Sequence, residues 1–400
     1  MLDSLTQGFC VGGFFLKRKF IIILILAIGV KLSLFICGTM SVPESRMMPD
    51  SASYMEIAKN LAERGQFERQ GPKSVFAPEI LRTPGYPFFL LFFHHCLNIP
   101  ILGVLFIQLM LTVAVGGITY FIAQRVDSKI ALLSATIVLF DPPVSIFSVM
   151  VLTEALFLLL LTIFLFLVIQ YMNDKKFYWL GWSALSLALA TYVRPIGYFL
   201  AIPVACFIVC VHRRYGFKRV VGHILIFLAL VYGLLGAWQV RNYYCCGTSS
   251  FATVGNQNFR KHGFFRSFTQ ENDLFSQAVS FVDTGWRCFL SMMTEPGSLK
   301  YFKSTFATKI GKSFFYPWMA FWFMGFLAGC LCVRKDTRYQ FLFMVILYFL
   351  GVTILNIGFA ASDRFRVPIV PAIAILSAYG WSQIVAWAQK IWSRRCFKCC

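Results

Sequence analysis

The sequence predicts an all-α protein, a polytopic membrane helix bundle of about ten spans with both termini on the cytoplasmic side. Three observations point there. Only 14% of the 400 residues are charged, where a soluble domain of this size is nearer about a quarter. Apolar runs of about 18 residues or more recur along the chain, the length needed to cross hydrocarbon. Cations gather in the short segments between many of these runs, as they do in cytoplasmic loops.

The first span is expected near 20–40. Lys17-Arg18-Lys19 precedes it like the basic region of a signal peptide. No small-residue cleavage site follows and Lys31 interrupts the run, so an uncleaved first helix is the reading. A polar stretch then runs to about residue 85. "TPGYPFFLLFFHHCLN" resembles an interfacial or half-inserted segment leading to a second span near 100–122. Spans three and four fall near 129–141 and 153–172, parted by Pro142-Pro143, which must break a helix. Spans five and six, near 177–192 and 196–212, hinge at Arg194-Pro195, and span seven covers about 220–239. A second long polar region occupies 241–311, followed by spans near 313–333, 340–358 and 367–388. Residues 1–400 thus read as one transmembrane unit with a first outer loop at 41–85 and a large second outer loop at 241–311.

With Lys17-Arg18-Lys19 inside, five other basic groups also fall inside: Arg125/Lys129, Lys175/Lys176, Arg213/Arg214/Lys218/Arg219, Arg334/Lys335/Arg338 and Lys390/Arg394/Arg395/Lys398. This distribution accounts for the net charge of +20 without nucleic acid, for which no basic helix or aromatic platform is present. The 13 Cys suggest no disulfide framework. Several lie in apolar runs as small core residues, and the terminal "CFKCC" is not a prenylation signal. His94-His95 lacks partner spacing for a metal. No cofactor is expected.

The topology leaves Asp50, Asp141, Glu154, Arg194, Arg241, Asp363, Arg364 and Arg366 on the outer face. Ionisable groups near hydrocarbon are costly and commonly functional. Asp50-Ser51 opens an amphipathic helical pattern that Gly65 ends. Either residue suits an N-cap; the sharper reading makes Asp50 a general base at the membrane surface. Glu154 suits a helix N-terminus or serves as a second acid. Asp141, before two prolines, reads as a turn residue. Arg194 and Arg241 end spans and are either snorkelling or phosphate ligands. Arg364 and Arg366, two apart, could grip a phosphate by forked hydrogen bonds. Lys31 must snorkel or face a polar cavity. No nucleotide-binding motif is present, so an activated group would have to arrive already attached to a membrane lipid. A sugar linked to a lipid phosphate fits.

Six blocks, in order, resemble the GT-C glycosyltransferases: "PDSASYMEIAKNLAERGQF", "RTPGYPFFLL", "LTEALFLLLL", "YVRPIGYFLAIP", "WQVRNYY" and "DRFRVPIVPAIAILSAYG". They are most similar to bacterial polyprenyl-phosphate-sugar transferases related to protein O-mannosyltransferases and lipid A aminoarabinose transferases. The resemblance implies a catalytic Asp in the first outer loop, matching Asp50, and a second acid matching Glu154. It also implies a carrier-phosphate motif near the C-terminus, here Arg364-Phe365 with Pro368 and Pro371. The family's Tyr is Phe365, which removes a hydroxyl. Inversion at the anomeric carbon without a nucleotide sugar, and no general metal requirement, are further implications.

The expected function is transfer of a sugar from a polyprenyl-monophosphate donor to a lipid, glycan or protein hydroxyl, on the periplasmic side of a bacterial inner membrane. Asp50 and Glu154 would be catalytic. Arg364, Arg366, Arg241 and Lys31 would bind the donor phosphate, with Arg194, Asp141, Tyr54 and Arg82 as supporting residues. The second outer loop, with Trp286 and Tyr301, would cover the cavity. A transporter or flippase of a lipid-linked glycan is the alternative; it would favour repeat symmetry and midplane polar groups, whereas these charges gather at one surface.

Overall fold

Every stretch expected to span is helical in the structure, a computed structural model that describes residues 2–41, 46–70, 76–212, 216–261, 273–294, 305–333 and 336–396. Arg213, Arg214, Tyr301, Arg334, Lys335, Lys398 and much of the second outer loop lie outside the described residues. In chain order, α1 is Leu2–Ser41 and α2 is Pro49–Arg64. A short antiparallel hairpin, β1 (Glu68–Gln70) and β2 (Phe76–Pro78), follows, with Arg69 opposite Ala77. This hairpin is a departure from the all-helical expectation, too short to show as an alternating pattern. Next come α3 (Gly85–Leu90), continued by a wide turn at Leu91–Cys96, and α4 (Ile101–Val126). Then follow α5 (Ala131–Leu139), α6 (Pro142–Ser148), α7 (Glu154–Asp174), α8 (Phe177–Val193), α9 (Ala201–His212) and α10 (Phe217–Cys246). The described remainder is α11 (Val254–Lys261), α12 (Leu274–Thr294), α13 (Thr305–Cys332), α14 (Thr337–Ile357), a 3₁₀ segment at Asp363–Ile369, and α15 (Val370–Cys396).

Among the described residues, seven helices are long and apolar enough to cross a membrane. An eighth crossing is Ser128–Leu139 with Pro142–Ser148, bent by 49°. The break falls where Pro142-Pro143 denies the backbone two donors. Two shorter apolar helices cover Phe177–Val193 and Pro195–Val211. The molecule is a multi-pass membrane protein. Span seven is longer than the sequence suggests, so Arg241 sits inside α10 rather than beyond its end.

The core is centred on α7 and α15. Phe157, Leu158, Leu161, Phe164, Leu165 and Val168 of α7 are fully enclosed, as are Ala372, Ala374, Ile375 and Leu376 of α15. In lipid, helices associate through close packing and hydrogen bonds rather than by expelling water. α13 and α15 meet through glycines: a Cβ on Gly380 would lie 1.9 Å from the Gly325 carbonyl oxygen, and one on Gly329 2.1 Å from that of Leu376. Ser377 Oγ donates to the Trp322 carbonyl at 2.7 Å across the same contact.

Candidate active site

The opening of α2 is built so that Asp50 is not its cap. Met48 occupies the N-cap position and Pro49 the first turn, where its missing N–H leaves nothing unpaired. Ser51 Oγ accepts the Met48 N–H at 2.9 Å and donates to the Val151 carbonyl at 2.7 Å. Ser51 therefore does the capping and ties the helix start to the α6–α7 connection. Asp50 turns away, its side chain 30% exposed.

Arg82 Nη2 donates to Asp50 Oδ1 at 2.6 Å, and Arg364 Nη1 to Asp50 Oδ2 at 3.1 Å. The Nε of Arg364 donates to Glu154 Oε1, which also accepts from Arg194 Nη1 at 3.0 Å. Glu154, with only 1% of its side chain exposed, is the first residue of α7 and needs these partners to stay charged there. Arg364 thus bridges two carboxylates 104 positions apart in the chain. Burial pushes the Asp50 pKa up, but the guanidinium groups of Arg364 and Arg82 outweigh it and hold the carboxyl below its ordinary value. Arg82 also lies over the Tyr54 ring, 5.0 Å from its centroid. Burial raises the Tyr54 phenol pKa, so its hydroxyl keeps its proton.

Asp50, Tyr54, Arg82, Arg194 and Arg364 line one side of a cavity of about 780 Å³, with Glu154 buried behind the two arginines it pairs with. Its apolar wall includes Ile196, Phe199, Phe251, Tyr348, Val352 and Phe365, and its polar wall Gln239, Ser250, Asn258 and Asn356. Arg82 reaches it on the "RTPGYP" turn. Thr83 Oγ1 donates to the Val193 carbonyl at 3.0 Å, and Gly85 packs so closely on α8 that a Cβ would lie 2.8 Å from Tyr192 and Val193 backbone atoms.

Three of the expected phosphate ligands lie elsewhere. Arg366 is fully buried, donating to Asp141 Oδ2 at 3.1 Å and to Met319 Sδ at 2.8 Å, with its guanidinium over Trp322. Asp141 also caps α6, accepting the Val144 N–H at 3.1 Å. Lys31, equally buried, donates to Ser145 Oγ at 2.8 Å and lies close enough to Asp141 to feel its charge. Two residues apart in a 3₁₀ turn, Arg364 and Arg366 point to different neighbours, so they form no shared fork. Arg241 holds the first loop, donating to the carbonyls of Glu79 at 2.9 Å and Phe67 at 2.8 Å. The sequence reading overlooked Glu79, Thr83, Gln239, Asn258 and Asn356. Isolated amides at span ends, Gln239 and Asn356, are the signal that could have drawn attention to the polar wall. Among the described residues no three His, Cys, Asp or Glu are grouped to hold a metal.

In this helix bundle the first loop, the start of the fourth span and the C-terminal turn converge beside one cavity. Residues 81–237 match the family model described as dolichyl-phosphate-mannose-protein mannosyltransferase. No curated protein sequence matches the chain. The archaeal oligosaccharyltransferase AglB from Archaeoglobus fulgidus, solved with an inhibitory peptide and a dolichol-phosphate, is similar with a TM-score of 0.58 at 12% identity. That alignment covers 96% of this chain and 52% of AglB. ArnT from Cupriavidus metallidurans, bound to undecaprenyl phosphate, gives 0.56 at 13% identity, over 92% of this chain and 62% of ArnT. This chain therefore spans less than two thirds of either relative. The likeness at this identity is one of fold.

Proposed function

We propose that the protein is an integral-membrane glycosyltransferase that moves a sugar from a polyprenyl-monophosphate carrier to a hydroxyl of a lipid, glycan or protein acceptor. The proposed site faces the periplasm of a bacterial inner membrane. The observation that carries this reading is the Arg364 bridge between Asp50 and Glu154 beside the cavity. Two solved structures of the same fold, containing dolichol-phosphate and undecaprenyl phosphate, add support. Three guanidinium groups (Arg82, Arg194, Arg364) surround two carboxylates (Asp50, Glu154). Their excess positive charge suits the single negative charge of a sugar phosphodiester.

In the proposed step the acceptor hydroxyl attacks the anomeric carbon while its proton passes to Asp50. The bond from that carbon to the phosphate oxygen breaks, and its electron pair leaves on the carrier phosphate. Arg364 and Arg194 stabilise the charge gathering there. Displacement from the opposite face inverts the anomeric centre. Both Asp50 oxygens accept from guanidinium groups, so a phosphate competing for Arg364 would free one of them to receive the proton. Glu154 holds Arg364 and Arg194. Arg366, Asp141 and Lys31 support the turn from within the bundle, Arg241 supports the first loop, and Gln239 and Asn258 meet acceptor or sugar hydroxyls. The chain acts as one unit, its 241–311 region shielding the acceptor side.

Asp50→Asn tests this directly. Turnover should fall by about 10²–10⁴-fold, while binding of undecaprenyl phosphate, titrated into the purified protein in nanodiscs, persists. Turnover close to wild type would remove Asp50 from the chemistry and favour a flippase. Mass spectrometry of envelope glycolipids and glycoproteins with and without the gene identifies the product; no missing sugar in any fraction would overturn the assignment.

A further inference from the structure

The loop that carries Arg82 is held by a carboxylate with no role so far. Glu79 is 5% exposed. Its Oε1 accepts the backbone N–H of Leu81 and, at 3.2 Å, that of Arg82. Its Oε2 pairs with Arg69 Nε at 3.0 Å. Its own carbonyl accepts from Arg241, and the next carbonyl, Ile80, accepts the Thr253 N–H at 3.0 Å. The hairpin, α10 and the segment after it therefore converge on residues 79 and 80. Beyond them, the Arg82 side chain turns back to Asp50. A serine or aspartate would close an ordinary turn. A longer, buried carboxylate serving two successive N–H groups and an arginine is more than turn closure needs, because each unpartnered charge at such a site is costly.

We propose that Glu79 is a positioning residue for the base: it fixes the backbone at Leu81 and Arg82 so that the Arg82 guanidinium is held against Asp50. The meaning for catalysis rests on Asp50 being the base; the positioning itself does not. The groups facing Asp50 are Arg82 from this loop, Arg364 from the 3₁₀ turn and Tyr54 from its own helix, with Glu154 of α7 beyond Arg364. Losing Arg82 removes one of two cations that keep Asp50 ionised, so the carboxyl should take up a proton at higher pH.

The experiment is carbodiimide coupling of Asp50, which requires the protonated acid, read by peptide mass spectrometry between about pH 3 and pH 7. It uses the purified full-length protein in nanodiscs and needs no sugar transfer. Glu79→Ala and Arg82→Ala should each move the labelling midpoint up by about 1 pH unit. Glu79→Gln, which keeps an oxygen for the two N–H groups, should stay near wild type. Glu79→Ala added to Arg82→Ala should move it no further, an outcome that a merely structural Glu79 would not give. Glu79→Ser replaces the alanine variant should that not be monodisperse. An unmoved midpoint in Glu79→Ala or Glu79→Ser, or a second upward step in the double variant, would overturn the proposal. Undecaprenyl-phosphate binding is titrated on the same wild-type preparation. Its absence would count against the carrier reading alone and leave the Glu79 result standing.

Discussion

Arg364 closes the acidic cluster, and a lysine could not replace it. Its Nε and Nη1 serve Glu154 and Asp50 separately, whereas an ammonium is a single point donor. Arg364→Lys should weaken undecaprenyl-phosphate binding by about tenfold or more, measured by titration in nanodiscs. Asp50 predicts a pH dependence of definite sign. Its folded pKa lies below the ordinary carboxylate value despite burial, because Arg364 and Arg82 outweigh the desolvation. Its ionised form therefore stabilises the fold above about pH 4 and loses that effect as pH falls through the folded value. Thermal melts should show wild type losing stability relative to Asp50→Asn on acidification below about pH 4, with no such divergence between about pH 6 and pH 8. Asp50, Glu154 and Arg364 stand out in the sequence as charged residues in so apolar a chain, and the structure brings them into contact. Which arginine serves which acid was not. Arg364 and Arg366 are alike in sequence, and only the 3₁₀ turn sends one to the cavity and the other inward.

At the scale of elements, two contacts set the frame of the site. The "RTPGYP" turn needs Gly85, because a Cβ there would meet the fixed backbone of Tyr192 and Val193. Gly85→Ala should cost about 1–3 kcal/mol, visible as a lower melting temperature of the purified protein. The break between α5 and α6 is secured by Asp141 and Arg366, both enclosed. Arg366→Met alone leaves a buried, weakly compensated carboxylate and should destabilise by about 3–5 kcal/mol. Adding Asp141→Leu should restore much of that loss, read as recovery of monodisperse protein on size-exclusion chromatography. The prolines announced this break in the sequence. The Asp141–Arg366 pairing did not show, because 225 positions separate the partners and no local pattern links them. The hairpin and the Glu79 anchor were hidden for a different reason: strands of three residues carry no readable period.

For the whole molecule, the helices define two ends. Glu154 and Gln170 stand near opposite ends of α7, 16 residues or about 24 Å apart along the helix. Gln170 accepts from Arg125 at 3.3 Å, and the Arg125 carbonyl accepts from Arg338 at 2.7 Å. Arg125 and Arg338 thus lie near one end of α7, and the cluster around Asp50 and Glu154 near the other. Under the proposed orientation, a protease site inserted at 248–250 should be cut in spheroplasts, and one at 174–176 only after lysis. The helical bundle was legible because the spans are long and apolar. Their lengths were less so, since polar ends such as Arg241 and Asn242 remain helical when neighbouring chain segments supply partners.

The glycine contact between α13 and α15 has a mechanical consequence. With backbone touching backbone at Gly325, Gly329 and Gly380, and Ser377 and Trp381 hydrogen-bonded across the contact, a change of rotamer alone does not let one helix slide past the other. They form a stiff pair. Under the proposed function, breathing that admits a long isoprenoid tail is expected instead at the cavity itself, where Tyr198, Phe199, Phe251 and Tyr348 present bulky, adjustable side chains.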